Sequence, residues 1–155
     1  MSDVDPSAIS RMRCREIMTK NVRTATRDMT LREVAALMRD GDMGAVPVVD
    51  EGKLVGIVTD RDIVIRSIAE GKSADSSVGE AMTTELFTVT PDDFVFEAIR
   101  LMGDKQIRRV PVIDNNGELA GIIAIADVAL ETEDEREIAE TIEEISSGSS
   151  FWSKN

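Results

Sequence analysis

Two short stretches carry side chains that could do chemistry. The first, GIVTDRD, places Thr59, Arg61 and Asp62 at the end of an apolar run that begins at Gly56. A carboxylate that follows a strand and opens a helix can accept from both hydroxyls of a vicinal diol, while the first helical amides face a phosphate. Gly56-Ile57-Val58 would add a flat apolar wall and backbone groups for a planar base. The second stretch, GIIAIAD, keeps Asp127 but has Ala124 and Ala126 where the first has Thr59 and Arg61. Arg108-Arg109 is the adjacent arginine pair of an otherwise acidic chain, and guanidinium groups suit phosphate oxygens. The alternative for Asp62 and Asp127 is that each simply caps a helix. For the arginines it is a solvated or salt-bridged pair.

The residue types that are missing narrow the chemistry further. The chain has no His and no Tyr, so nucleophile–base arrangements built on His and the usual zinc sites are out of reach. Neither GxGxxG nor GxxxxGK(S/T) occurs. Paired-carboxylate catalysis has nothing pointing to it, and the expectation is a protein that is not an enzyme. Cys14, the single cysteine, cannot form an internal disulfide, which fits a reducing compartment, and reads as a small residue near the start of the fold. A net charge of −12 disfavours a nucleic-acid partner and an anionic membrane surface. Apolar runs such as Ala45 to Val49 are too short to span a bilayer, and MSDVDPSAIS lacks the pattern of a signal segment. The expected location is cytoplasmic.

The elements that must position these side chains occur twice. At an offset of 64 positions Met18-Thr19 falls on Met82-Thr83, Glu33 on Glu97, Leu37-Met38 on Leu101-Met102, and Val46-Pro47-Val48 on Val110-Pro111-Val112. After one extra residue at Asn115-Asn116, Gly52, Leu54, Gly56, Ile57 and Asp62 align with Gly117, Leu119, Gly121, Ile122 and Asp127. Each copy reads as helix, strand, turn, strand, helix. The first helix spans Met29 to Arg39, with Thr30 and Glu33 as a capping box. Its second-copy equivalent runs to about Asp104, with Asp92 or Asp93 as the cap. The strands are Ala45 to Val49 with Lys53 to Thr59, and Val110 to Ile113 with Glu118 to Ala124. Further helices start near Asp60 and Ala126. Pro47 and Pro111 call for an edge position or a strand start, and EGKSADSS, from Glu70 to Ser77, has linker chemistry. From Glu131 to Ser147 the spacing of Ile138, Ile142 and Ile145 predicts a charged helix whose EDERE run is a solvated face. Phe151-Trp152 is an apolar pair in the tail.

The repeated unit, IMT followed after a helix by VPVVD-x-G-x-L-x-G-I-V-T-D-R-D, resembles the CBS domain. The likeness covers residues 11 to 69 and 76 to 131, leaving 132 to 155 as a C-terminal helix and tail. It implies an α+β fold of two β-α-β-β-α modules packed as a pseudo-symmetric pair with two clefts. It also implies a non-catalytic sensor that binds AMP, ADP, ATP, NAD or S-adenosylmethionine as a regulatory ligand, with no metal required. Carrying the family's roles over residue by residue, one site combines Ile57, Thr59, Arg61 and Asp62 with Leu86, Phe87, Ile107, Arg108 and Arg109. The other combines Ile122, Ala124, Ala126 and Asp127 with Lys20, Val22, Met43 and Gly44. Ala124 and Ala126 make the two unequal, with the Asp62 site the stronger. The alternative function is a scaffold whose clefts are vestigial. A homodimer is expected, because Ile63, Ile65, Ile68, Val128 and Leu130 are apolar positions that one pair could leave uncovered. Some further protein would be the regulated target.

Overall fold

The computed structural model describes residues 11–131; the expected helix from Glu131 to Ser147, the EDERE run and Phe151-Trp152 lie outside them, the first residue of that helix apart. The described elements are α1 (Cys14–Ile17), α2 (Leu31–Gly41), β1 (Ala45–Asp50), β2 (Lys53–Thr59), α3 (Asp60–Ile63), a π-helical stretch Val64–Ile68, a 3-10 turn Val78–Glu80, α4 (Val95–Lys105), β3 (Arg109–Ile113), β4 (Leu119–Ala124) and α5 (Ile125–Glu131). The mixture is α+β, with each copy contributing one two-stranded sheet, β1 with β2 and β3 with β4.

These elements pack into two units that cut across the sequence copies. One unit gathers Asn21–Leu86 and Asn116–Leu119, and is called the first unit below. The second unit gathers, among the described residues, 11–20, 87–115 and 120–131. The opening segment of each copy therefore packs in the unit that the other copy builds. Cys14 and Ile17 join the core made by Val95, Ile99, Met102, Val110, Val112 and Ile123. Their repeat equivalents, Val78 and Ala81, join the core made by Leu31, Val34, Val46, Val48 and Val58. Cys14 is fully buried where its counterpart is a valine, so it acts as a small hydrophobe.

Backbone hydrogen bonds repeat the same exchange. The Cys14 and Arg15 amides donate to the Asp93 and Pro91 carbonyls at 2.8 and 3.0 Å, and those of Val78 and Gly79 donate to Met29 and Arg27 at 2.8 and 3.0 Å. In return, the first amide of α2, at Leu31, donates to the Ser76 carbonyl at 2.9 Å, and that of α4, at Val95, donates to Met12 at 2.7 Å. EGKSADSS is thus docked rather than loose, since the Arg32 amide also donates to the Ala74 carbonyl at 2.9 Å.

Thr30 caps α2 and forms the expected box with Glu33. The expected cap of α4 is corrected. Its N-cap is Phe94, which has no side chain able to accept, and neither Asp92 nor Asp93 replaces it. Phe94 is the repeat equivalent of Thr30, and the Met12 carbonyl already satisfies the first helical amide. Asp93 instead accepts from the Thr90 amide at 2.8 Å.

β1 and β2 pair antiparallel, with Pro47 opposite Ile57. The Pro47 carbonyl accepts from the Ala25 amide at 2.9 Å, and the Val49 amide donates to the Ala25 carbonyl at 2.9 Å. Residues 47 and 49 therefore turn their backbone groups away from β2, so the amide that proline lacks leaves no gap in the β1–β2 ladder. Pro111 makes the same bond with Val89, at 3.1 Å. The leading β position of each module is reduced to these single parallel bridges, Ala25 with Val48 and Val89 with Val112.

Candidate ribose-recognition corner

The corner where β2 turns into α3 is a closed local circuit. Thr59 is the N-cap of α3, and its hydroxyl accepts from the Asp62 amide at 3.0 Å. The Asp62 carboxylate accepts in return from the Thr59 amide, through Oδ2 at 3.0 Å. Threonine thus serves as a cap and keeps the strand's end fixed against the helix's first turn. Two further groups reach the same carboxylate. The Thr83 hydroxyl lies 3.4 Å from each oxygen, and Arg66 Nε lies 3.7 Å from Oδ1. The Arg66 guanidinium itself donates to the Met82 carbonyl at 3.3 Å. The Asp62 side chain is 14% exposed.

The second copy builds a reduced version. Asp127 Oδ2 accepts from the Ala124 amide at 3.0 Å, so the strand-to-helix turn is held from the carboxylate side. Ala124 has no hydroxyl to return the bond. In both copies the helix-cap alternative therefore describes part of what the aspartate does. A carboxylate has about four acceptor positions and one amide takes one of them, so capping does not exhaust either group.

Thr83 and Arg66 escaped the sequence reading. The signal for Thr83 was present in the repeat, where Met82-Thr83 falls on Met18-Thr19. The Thr83 amide donates to the Ile57 carbonyl at 2.8 Å and receives the Ile57 amide in exchange at 2.9 Å. Thr19 does the same with Ile122, at 2.8 and 3.1 Å. This close pairing explains the shared glycines. A Cβ on Gly56 would sit 2.6 Å from Met82 Sδ and 3.1 Å from the Thr83 carbonyl oxygen. On Gly121 it would sit 2.7 Å from the Thr19 carbonyl oxygen. Gly56 and Gly121 are required for the approach of another segment, whatever a ligand needs.

Of the residues expected at the first site, the first unit holds Ile57, Thr59, Arg61, Asp62 and Leu86, and the second holds Phe87, Ile107, Arg108 and Arg109. Ile57, Leu86, Phe87 and Ile107 are half-buried, while Arg61, Arg108 and Arg109 are exposed. Lys105 Nζ stands 4.9 Å from the centre of the Phe87 ring, a cation–π distance. The Arg108 carbonyl accepts from the Ile125 amide at 2.9 Å, so the arginine pair begins where α5 begins. Of the second set, Ile122, Ala124, Ala126, Asp127 and Lys20 belong to the second unit, and Val22, Met43 and Gly44 to the first. The Gly44 carbonyl accepts from the Asp60 amide at 2.9 Å, and Asp60 Oδ1 accepts from the Arg61 amide at 2.8 Å. Asp60 folds back on its own helix start.

Two open concavities lie within the units and apart from Asp62 and Asp127. One of about 490 Å³ is bordered by Thr26, Arg27, Asp28, Asp50 and Glu51, and one of about 290 Å³ by Thr88, Asp93, Glu97, Arg100 and Asp104. Among the described residues no group of three or more His, Cys, Asp or Glu is placed to hold a metal. No helix among them is long and apolar enough to cross a membrane.

The CBS domain family model matches residues 14–68 and 78–134. The chain belongs to the CBS domain family. It is similar to hypoxic response protein 1 of Mycobacterium tuberculosis, 37% identical over 117 residues that cover 74% of this chain and 81% of that protein. The crystal structure of that protein, described with two coordinated zinc ions, matches with a TM-score of 0.72 and 35% identity over 78% of this chain and 99% of the other. The CBS domain pair of protein MJ0100, solved with 5-methylthioadenosine and S-adenosyl-L-methionine, matches with a TM-score of 0.70 and 29% identity over 77% of this chain and 94% of the other. CBSX2, solved in complex with AMP, matches with a TM-score of 0.70 and 26% identity over the same shares.

Proposed function

We propose that this chain is a non-catalytic regulatory CBS pair that binds an adenosine-containing nucleotide, with Asp62 accepting the ribose hydroxyls. The observation that carries the reading is the Asp62 carboxylate itself, held at a strand-to-helix corner by the Thr59 amide, which takes only one of its acceptor positions. The adenosine ligands of MJ0100 and CBSX2 support the ligand class. Residues of both copies contribute in this reading. Ile57 and Leu86 offer apolar surface to the base, while Thr59 and Arg61 serve the phosphates. AMP and ATP are the ligands of choice, since neutral adenosine would leave Arg61 unused. The site with Ala124 and Asp127 is the weaker of the two.

A second reading, a scaffold with vestigial clefts, draws support from the fact that both aspartates already serve their own strand ends. Calorimetric titration of AMP and ATP into wild type, Asp62→Ala and Asp127→Ala separates the two. A hydrogen bond to a charged group contributes about 1.5–3 kcal/mol, so Asp62→Ala is expected to weaken the tighter phase by roughly tenfold to a hundredfold or more. Asp127→Ala leaves that phase nearly intact. Absence of any nucleotide heat, together with a melting temperature indifferent to AMP, ADP, ATP, NAD and S-adenosylmethionine, would favour the scaffold.

The reading includes a homodimer and a cytoplasmic setting. Val64, Ile65 and Ile68 are 54%, 47% and 65% exposed on one short segment, an unusual apolar cluster for a solvated surface. Two of the positions expected to be uncovered are not. Ile63 packs against the first unit's core, and Val128 is fully buried, so the dimer face rests on Ile65 and Ile68 with Val64 added; the Leu130 side chain lies outside what the structure describes.

A further inference from the structure

The Asp62 corner contains a cation that the functional reading does not use. Arg66 lies one turn beyond Asp62, inside the π-helical stretch Val64–Ile68. Its Nη1 donates to the Met82 carbonyl at 3.3 Å, while its Nε stays 3.7 Å from Asp62 Oδ1. At that distance the guanidinium attracts the carboxylate without occupying one of its acceptor positions. The opposite oxygen, Oδ2, is held by the Thr59 amide at 3.0 Å.

The terminal torsion of an aspartate is broad and weakly determined by itself. Restraints on both oxygens remove that freedom. The Thr59 amide fixes Oδ2, the guanidinium draws Oδ1, and the Thr83 hydroxyl stands 3.4 Å from each. We infer that Arg66, with Thr83, is a positioning residue that orients the Asp62 carboxylate for a vicinal diol. The inference rests on the reading of Asp62 as the ribose acceptor and adds the group that makes it selective. A π-helical turn is a common departure from α-helix at functional sites, and here it carries the residue that reaches back to the site. The second copy has Glu131 at the position of Arg66, so its aspartate receives no such cation from that position.

Neutral nucleosides isolate this effect from long-range charge. Adenosine and 2′,3′-dideoxyadenosine are titrated into wild type, Arg66→Gln, Arg66→Lys and Thr83→Val, with folding checked by circular dichroism. Wild type is expected to prefer adenosine by tenfold or more, the size of one hydrogen bond to a charged group. Arg66→Gln should cut that preference to about threefold or less, and Arg66→Lys should recover part of it by restoring the charge. Thr83→Val, which keeps the side chain's shape, should reduce it by an intermediate factor. If Arg66→Gln weakens both nucleosides equally and leaves the preference unchanged, Arg66 is structural and the inference fails alone. A wild type that binds neither nucleoside, or both equally, overturns the inference together with the ribose-acceptor reading beneath it.

Discussion

Replacing Gly121 by alanine tests whether the glycine of each signature serves packing. The added Cβ would lie 2.7 Å from the Thr19 carbonyl oxygen and 2.9 Å from both Met18 Cγ and Sδ. A backbone oxygen cannot swing aside as a side chain can, so the segment carrying Thr19 must retreat by roughly half an ångström or more to reach ordinary contact. Overpacking of this kind costs about 1–3 kcal/mol. The retreat also stretches the two Thr19–Ile122 hydrogen bonds, at 2.8 and 3.1 Å, which contribute about 1 kcal/mol each. The expected destabilisation is about 2–4 kcal/mol, a large share of the roughly 5–15 kcal/mol that holds a domain folded. At Gly56 the nearest obstacle is the end of the Met82 side chain at 2.6 Å, with the Thr83 carbonyl oxygen at a milder 3.1 Å. Gly56→Ala should therefore cost less, about 1–2 kcal/mol. Urea denaturation followed by circular dichroism measures both, with midpoints falling at an unchanged slope. Equal losses, or a larger loss for Gly56→Ala, would refute the argument. Stability left intact with nucleotide affinity lost would mean that the glycines are kept for the ligand instead.

Three further outcomes follow from the geometry. Thr59→Ala removes the hydroxyl that accepts the Asp62 amide, and should lower stability by about 0.5–2 kcal/mol in the same urea assay while also weakening AMP. Cys14 has its thiol pushed up from 9.0 to about 12, first by burial and then by Asp93 and Glu97, so a thiol reagent at pH 8 should label it only after unfolding. Because the folded thiol holds its proton more tightly than the unfolded one, its contribution to stability is complete below pH 9.0 and fades toward about 12. The stability gap between wild type and Cys14→Ala should narrow across that window, and a gap constant to pH 11 would contradict it. Ile65→Glu places a charge in the exposed apolar cluster and should convert a dimer to a monomer in sedimentation velocity at micromolar concentration; a monomeric wild type would remove the dimer from the proposal.

Much of the molecule was legible along the chain because it is built from local rules written twice. The β2 strand from Lys53 to Thr59 follows from an apolar run bounded by a Gly turn and an acidic helix start, and Thr30 with Glu33 marks a helix start by spacing alone. The Thr59–Asp62 pair is equally local, since its bonds span three residues. Periodicity and capping chemistry act over one or two turns, so a linear reading can reach them.

What the chain alone did not disclose are the partners that lie far along it. Asp93 looked like a cap, yet Met12, more than eighty positions earlier, supplies the acceptor for the first amide of α4. Ile63 and Val128 looked uncovered, but packing buries one in part and the other fully. The repeat marked modules at residues 11 to 69 and 76 to 131 but not that each core is closed by the opening segment of the other copy, Cys14 and Ile17 in one and Val78 and Ala81 in the other. A self-similar sequence cannot say which of two equivalent surfaces a segment chooses, because both offer it the same contacts; only the folded packing decides that. The same holds for Arg66, whose role depends on meeting the Met82 carbonyl sixteen residues away.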